Sequence, residues 1–166
     1  MIYFVILFAL VIINILDNNG NNKLKKIENS LFWIISFIIF FIAAFRNGIG
    51  YDFNSYKDIH NEIYSLGYGI SESGVELGYY ILNKIFINFA VVIFISAILC
   101  VVLKIAIINK YSENKWTSLI VYFTGTWIMF DLGVIRQGIA MSFALISIKY
   151  ILDRNIKKFI LFVRNE

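Results

Sequence analysis

The segment "FIAAFRNGIGYDFNSY", residues 41–56, decides the fold, because it ends an unbroken apolar run on Arg46 and continues in glycine, acid and tyrosine. Apolar runs flanked by charged or Asn-rich stretches recur along the 166-residue chain. The chain is 60% hydrophobic, against roughly 45–50% in soluble domains. A soluble fold of this length could not bury that much apolar surface. The sequence therefore predicts an all-α, polytopic transmembrane helical bundle that forms a single membrane domain.

We predict about five membrane spans along the chain. Several of these runs are shorter than the usual ~20 residues, so they need interfacial neighbours such as Trp33, Trp116 or a snorkelling basic side chain. A soluble core helix is the alternative for any single short run, but it does not explain the whole set. The predicted spans are 2–16, 31–45, 85–103, 116–130 and 133–152.

The N-terminal run begins at Met1 with no basic residue before it and no small-residue cleavage site behind it. We therefore expect a retained span and not a removed signal peptide. The single cysteine, Cys100, lies within a predicted span, which excludes a disulfide inside the chain and indicates a packing residue.

The distribution of basic residues predicts the orientation. The loops after the first and third spans and the tail after the last span are basic, so the positive-inside rule places them in the cytoplasm. Loop 46–84 is mainly acidic and lies outside, which puts the N-terminus outside and the C-terminus in the cytoplasm. The net charge of +4 is thus explained by topology, and nucleic acid is not an expected partner. The cytoplasmic basic residues are Lys23, Lys25, Lys26, Lys104, Lys110, Lys115, Arg154, Lys157, Lys158 and Arg164.

The outer loop, residues 46–84, is too short for an independent core and is punctuated by glycines, so we expect turns and short interfacial helices. The spacing of its apolar residues predicts an amphipathic helix that lies along the outer surface. This apolar face comprises Tyr56, Ile59, Ile63 and Leu66.

A second short helix is predicted to begin near Glu76, with its polar face along the outer surface. His60 is the only histidine and has no cysteine cluster beside it, so we expect a solvated residue and no metal site. Tyr64, Tyr68 and Tyr79 fit an ordinary interfacial aromatic belt. The polar face of the second helix comprises Glu76, Tyr80, Asn83 and Lys84.

A second arginine, Arg136, lies about one turn inside the last predicted span. A charge at the centre of a span costs roughly 2.5–3.5 kcal/mol on insertion scales, so such residues normally face protein or a water-filled cavity. A stripe of small residues permits close helix packing and predicts that Arg136 faces protein, with snorkelling to the surface as the alternative. The stripe comprises Gly133, Arg136, Ala140, Ala144 and Ser147.

Arg46 and Arg136 are thus predicted at the same membrane face, with Asp52 and Glu76 in the loop between them. Arginine is suited to bidentate contact with phosphate, so the two side chains could hold a diphosphate. A neighbouring carboxylate could act as general base toward a sugar hydroxyl, or could simply pair with an arginine. The spacing leaves both roles open. The soluble phosphate-loop motifs GxxxxGK[ST] and GxGxxG are absent from the sequence.

The segments "RNGIGYDFNSY", "ESGVELGYYILNKIF" and "LGVIRQGIAMSFALISIKYIL" resemble consecutive signatures of the EpsG family of polysaccharide biosynthesis membrane proteins, relatives of the Wzy-type O-antigen and capsule polymerases. The resemblance covers most of the chain. The matching positions are Arg46, Gly50, Asp52, Tyr56, Glu76, Gly78, Tyr79, Leu82, Asn83, Lys84, Arg136 and Gln137.

The resemblance implies a multi-pass protein of the bacterial cytoplasmic membrane that polymerises lipid-linked oligosaccharide repeat units on the outer leaflet. The donor would be glycan linked to undecaprenyl diphosphate, with no cofactor or metal required, and other polysaccharide assembly proteins are possible partners. By the same resemblance, the catalytic candidates are Asp52, Glu76 and Arg136, and the substrate-binding candidates are Arg46, Tyr56, Tyr80, Asn83, Lys84 and Gln137.

Family members usually run to about twice this length. The chain stops at "IKKFILFVRNE", where a sixth apolar run begins, so we expect a C-terminal truncation. The alternative function is a non-catalytic membrane component that binds lipid-linked glycan or stabilises an export complex. A transporter subunit ranks third, because the spans offer few ionisable residues near the bilayer midplane.

Overall fold

A computed structural model describes residues 1–18 and 22–152, with side chains described for 1–18 and 27–148. Within these ranges every regular element is a helix, which confirms the all-α class. The basic tail and the sixth apolar run after residue 152 lie outside the described residues, as do the side chains of Lys23, Lys25 and Lys26.

The helices follow one another with short connections. The first two are α1, Ile2–Asn18, and α2, Asn22–Ala44. Three short helices follow: α3, Phe53–Tyr64; α4, Ile70–Ser73; and α5, Leu77–Ile85. The remaining helices are α6, Phe89–Tyr111; α7, which begins at Lys115 and ends at Asp131; and α8, Ile135–Leu152.

Two of the long helices contain wide π-helical turns, Ile98–Val102 in α6 and Tyr122–Asp131 in α7. Such turns are rare and frequently occur at functional sites. Here the first lies two residues before the buried Lys104, and the second ends at the buried Asp131.

Asparagine caps set the starts of α6 and α7. The Asn88 side chain accepts a hydrogen bond from the Ala90 amide at 2.9 Å, and Asn114 accepts from the Thr117 amide at 2.9 Å. The Asn88 cap separates α6 from α5, so the span predicted over 85–103 runs instead over 89–111. It continues past Lys104 because that lysine is paired inside the protein.

Within residues 1–18 and 22–152, two helices are long and apolar enough to cross a membrane. They are Ile27–Ala44 within α2, with mean hydropathy 2.0, and α6, with mean hydropathy 3.1 over 23 residues. Ile2–Asn18 and Ile135–Ile148 are shorter apolar helices. These lengths and compositions are consistent with a membrane protein, while the number of spans and their orientation stay predictions.

The larger hydrophobic core lies between α1, α2, α6 and α7. Its central side chains are fully buried and include two tryptophans whose rings pack against other aromatic rings. This core fixes the bundle on which the short helices rest. The fully buried members are Leu10, Phe32, Ile39, Val101, Trp116, Leu119 and Trp127.

A smaller core attaches α3 and α5 to the start of α6 and to Ile135 of α8. Tyr56 and Ile63 of α3 are buried in it, which confirms the predicted amphipathic helix. Leu66 lies beyond the end of α3 and is 65% exposed, so its inclusion in the apolar face was wrong. The predicted helix after Glu76 is confirmed as α5.

The buried face of α8 agrees only in part with the predicted stripe. Gly133 and Ser147 are buried, but Ala144 is exposed and Arg136 is only partly covered. The other buried residues are Ile135, Gly138 and Ser142. The Ser142 hydroxyl donates to the Cys100 carbonyl at 3.1 Å, so this face packs on α6. A Cβ at residue 138 would lie 2.8 Å from an Asp131 carboxylate oxygen, and this close approach requires glycine.

Candidate functional site

An ion pair between Arg136 and Glu76 lies where α5 meets α8. Arg136 Nη1 donates to Glu76 Oε2 at 3.0 Å, and the two side chains are 32% and 64% exposed. The guanidinium carbon lies 6.0 Å from the centroid of the Tyr56 ring, a cation–π arrangement. The fold thus brings together one candidate residue from each of the quoted sequence segments, and the pair stays accessible to solvent.

Two tyrosines lie beneath this pair. The rings of Tyr56 and Tyr79 meet edge to face with centroids 5.5 Å apart, and both side chains are buried. Burial raises the pKa of the Tyr79 hydroxyl above its ordinary value, although the charges of Arg46 and Arg136 oppose this effect. Both tyrosines therefore lie within electrostatic range of both arginines.

Arg46 joins the end of α2 to the end of α7. Its Nη1 donates to the carbonyl oxygens of Asp131 at 2.9 Å and Leu132 at 2.5 Å, and the residue is only 7% exposed. A cation at carbonyls that end a helix is favourable, because they carry the negative end of the helix dipole. Desolvation lowers the pKa of Arg46 from its usual value, but the guanidinium stays charged at neutral pH.

Gly50 packs against the Leu132 carbonyl, to which Arg46 also donates. Its φ is +115°, and a Cβ there would lie 2.1 Å from the Leu132 carbonyl oxygen. The loop backbone therefore packs directly on the turn between α7 and α8, and only glycine permits this approach. Gly50 is therefore explained by its contact with Leu132. Arg46 likewise has a structural role, in addition to any phosphate contact.

Other candidates lie around this centre without joining the ion pair. Asp52 precedes α3 and makes no side-chain hydrogen bond or ion pair in the described part of the chain, and Gln137 is exposed. Lys84 donates to the Tyr80 hydroxyl at 3.3 Å, and that hydroxyl donates to the Tyr68 carbonyl at 3.2 Å. Their roles in substrate contact stay predictions.

Asn83 and His60 form a buried polar contact between α5 and α3. Asn83 is fully buried and its amide nitrogen donates to the Tyr79 carbonyl at 2.7 Å, so its amide oxygen is the acceptor that faces His60. His60 Nδ1 lies 3.1 Å from that oxygen, and Nε2 lies 3.2 Å from the Ile87 carbonyl oxygen. A neutral imidazole donates from only one nitrogen, so both bonds form together only in the imidazolium.

The expectation of a solvated His60 was wrong, because this residue is 4% exposed. It falls on the buried face of α3, four residues after Tyr56 and three before Ile63, and its ring stacks on Tyr64 with centroids 5.8 Å apart. The helical spacing could have placed it there.

Sequence reasoning missed a buried charged network beneath the Arg46 contact. Lys104 and Asp131 form an ion pair, with side chains 1% and 0% exposed. The Tyr122 hydroxyl donates to the other Asp131 oxygen at 2.6 Å, and Lys104 Nζ also donates to the Gly138 carbonyl at 2.9 Å. The network ties α6, α7 and α8 together and fixes the turn that receives Arg46.

The assignment of Lys104 to a cytoplasmic loop is corrected by this pairing. The sequence carried a usable signal, because one lysine and one aspartate each interrupt a long apolar run. Opposite charges in such runs are expected to pair inside the protein. Among the residues the structure describes, no group of three or more His, Cys, Asp or Glu side chains is placed to hold a metal ion.

Over the part of the chain that the structure describes, the fold and site define a class. It is a helical protein with two helices suited to crossing a membrane and a half-exposed charged pair beside a buried tyrosine layer. The EpsG family model matches residues 29–164, so the chain belongs to the EpsG family, as its sequence segments indicated. Comparison with curated proteins and with solved structures returns no match.

Proposed function

We propose that this protein polymerises lipid-linked oligosaccharide repeat units into extracellular, capsular or O-antigen polysaccharide at the outer face of the cytoplasmic membrane. Membership in the EpsG family suggests a part in exopolysaccharide biosynthesis. The observation that carries the finer proposal is the solvent-accessible Glu76–Arg136 pair above Tyr56. It unites three segments of the chain that are far apart in sequence.

In the proposed topology about five helices cross the membrane, and α3 to α5 lie on the outer surface. The two long apolar helices support spanning. The exposed Lys110, near the turn from α6 to α7 at the opposite end of α6 from the short helices, supports a cytoplasmic location for that turn.

In the proposed reaction, Arg136 binds the diphosphate that links the donor glycan to its lipid carrier. A hydroxyl of the incoming unit attacks the anomeric carbon of the donor, the new glycosidic bond forms, and the carbon–oxygen bond to the diphosphate breaks. The lipid diphosphate leaves with the bonding electrons, and Arg136 stabilises its charge. Glu76 accepts the proton of the attacking hydroxyl.

The ion pair gives this mechanism a starting state. Before substrate binds, Arg136 and Glu76 neutralise each other at 3.0 Å. When Arg136 turns to the diphosphate, Glu76 loses its partner and becomes available as a base. A guanidinium can make this exchange readily at a half-exposed site, because an exposed pair contributes only about 0–1 kcal/mol.

A non-catalytic membrane component is the second candidate. The side chains of Arg46 and Asn83 donate hydrogen bonds to backbone carbonyls of the protein itself. Arg136 and Glu76 form an ion pair with each other. These contacts favour a protein whose polar residues hold the outer helices in place within a larger assembly.

Glycan ladders from membranes distinguish the two candidates. Cells in which the protein is replaced by Arg136→Lys, Arg136→Ala or Glu76→Gln are compared at equal protein abundance. Polymerisation predicts a rate loss of about 10²–10⁴-fold for Glu76→Gln, since it removes a general base, and correspondingly short ladders. Glu72→Gln is the matched control, because Glu72 is exposed on neighbouring α4 and accepts only the Gly69 amide at 2.8 Å. Full-length ladders in every variant would favour the non-catalytic component.

A further inference from the structure

A groove of about 650 Å³ opens between the end of α2, the start of α3 and the start of α6. Neither Glu76 nor Arg136 lines it, so it is distinct from the ion-pair site. The groove is amphipathic, because its lining combines aromatic side chains with polar and basic ones. The lining residues that matter here are Phe45, Arg46, Phe53, Lys57, Asn88 and Phe94.

The groove carries positive charge without a carboxylate partner. In the described part of the chain the ion pairs are Lys104–Asp131 and Arg136–Glu76, so Arg46 and Lys57 remain unpaired. Lys57 is exposed, and Arg46 bonds only neutral carbonyl oxygens. The nearest buried carboxylate, that of Asp131, is already held by Lys104.

Arg46 also has an unused donor. The residue is more than nine-tenths buried, and its Nε–H has no hydrogen-bond partner. An unsatisfied buried donor costs about 1–3 kcal/mol, more for a charged group. A buried, unpaired cation that lines a groove is therefore better accommodated when an anion occupies that groove.

The part of the groove that lies along α6 is apolar. Phe45 and Phe94 meet edge to face with centroids 5.9 Å apart, and Val91 is 38% exposed beside them on α6. Both helices that supply this wall, α2 and α6, are long and apolar enough to cross a membrane. A groove that combines unpaired basic side chains with an apolar wall on such helices matches a molecule with an anionic head and a hydrocarbon chain.

We propose that this groove binds the phosphate headgroup of an anionic lipid between Lys57 and Arg46, with the hydrocarbon chain along α6 beside Val91 and Phe94. The groove contains Arg46, a substrate-binding candidate, but it shares no residue with the Glu76–Arg136 pair. Substitution of Lys57 therefore tests lipid binding separately from the proposed polymerase activity.

Native mass spectrometry of the full chain in detergent tests the proposal directly. The probes are dioleoylphosphatidic acid, which is anionic, and dioleoylphosphatidylcholine, which is zwitterionic. We expect preferential retention of the anionic lipid and a loss of about tenfold in its affinity for Lys57→Gln, because one charge-assisted hydrogen bond is removed. Lys110→Gln is the matched control, since it removes the same charge from an exposed position at the far end of α6.

Two further measurements identify the occupant. Val91→Trp fills the apolar part of the groove without changing its charge and is expected to lower retention of the anionic lipid. Excess inorganic phosphate is expected to leave the lipid bound, because it lacks the chain. Equal retention of the two lipids, equal losses in Lys57→Gln and Lys110→Gln, or displacement of the lipid by inorganic phosphate would each overturn the proposal.

Discussion

The buried pair of Lys104 and Asp131 makes a quantitative prediction about stability. The perturbations are Lys104→Met, which keeps a long unbranched side chain, Asp131→Asn, which keeps the shape of the carboxylate, and the double variant. Each single variant leaves one charge without its partner, at a site where the side chains are 1% and 0% exposed. The double variant removes both charges and still offers an acceptor to the Tyr122 hydroxyl.

The expected magnitudes follow from that geometry. Breaking a buried pair by removal of one partner costs about 3–5 kcal/mol, whereas removal of both is often close to neutral. The two single losses would add to about 6–10 kcal/mol, so we expect the free energy of unfolding of the double variant to exceed the additive value by about 6 kcal/mol or more. Lys110→Met, at an exposed position of the same helix, should change it by less than about 0.5 kcal/mol.

The assay is an SDS titration of the purified protein in mixed micelles, with helix content followed by circular dichroism. All variants are measured at one protein and detergent concentration, so that differences in the free energy of unfolding reflect the substitutions alone. If the effects of the single variants add within about 0.5 kcal/mol, Lys104 and Asp131 are not coupled and the buried network is refuted.

Two further predictions use the same titration. Gly50→Ala should destabilise the protein by about 3 kcal/mol or more, because its Cβ would overlap the Leu132 carbonyl at 2.1 Å in addition to the strain of a positive φ. Gly67→Ala, at φ +74° with open space around it, should cost only about 1–2 kcal/mol, and an equal loss would contradict the contact with Leu132. His60→Phe should cost about 1–3 kcal/mol, because it keeps a buried ring but leaves the Asn83 amide oxygen without its donor. Unchanged stability of that variant would argue against a buried His60.

Local periodicity predicted the parts of the fold that depend on neighbours in sequence. The spacing of Tyr56 and Ile63 predicted α3, and the polar positions after Glu76 predicted α5. The proximity of Arg136 to an acidic loop residue was also expected, although the spacing could not choose between Asp52 and Glu76. The structure selects Glu76.

Contacts between distant segments could not be predicted from local patterns. Arg46 reaches the carbonyl of Leu132, which lies 86 residues away, and nothing near either residue indicates the other. The predicted span ended before Lys104 because local sequence patterns give no partner for a charge, so the lysine was assigned to a solvated loop. Its partner Asp131 lies on another helix. The face of α8 was predicted only in part for a related reason, since Gly138 is required by its approach to Asp131 and Cys100 and not by helix spacing.

The outward location of α3 to α5 is the central claim, and cysteine labelling tests it most directly. The only native cysteine in the chain, Cys100, is buried, so introduced cysteines report their own positions. Ser71→Cys lies in α4, and Glu113→Cys lies in the turn between α6 and α7; both positions are exposed. In intact cells a membrane-impermeant maleimide should label residue 71 and should label residue 113 only after permeabilisation. Labelling of residue 113 alone in intact cells would place Glu76 and Arg136 in the cytoplasm and contradict the proposed function.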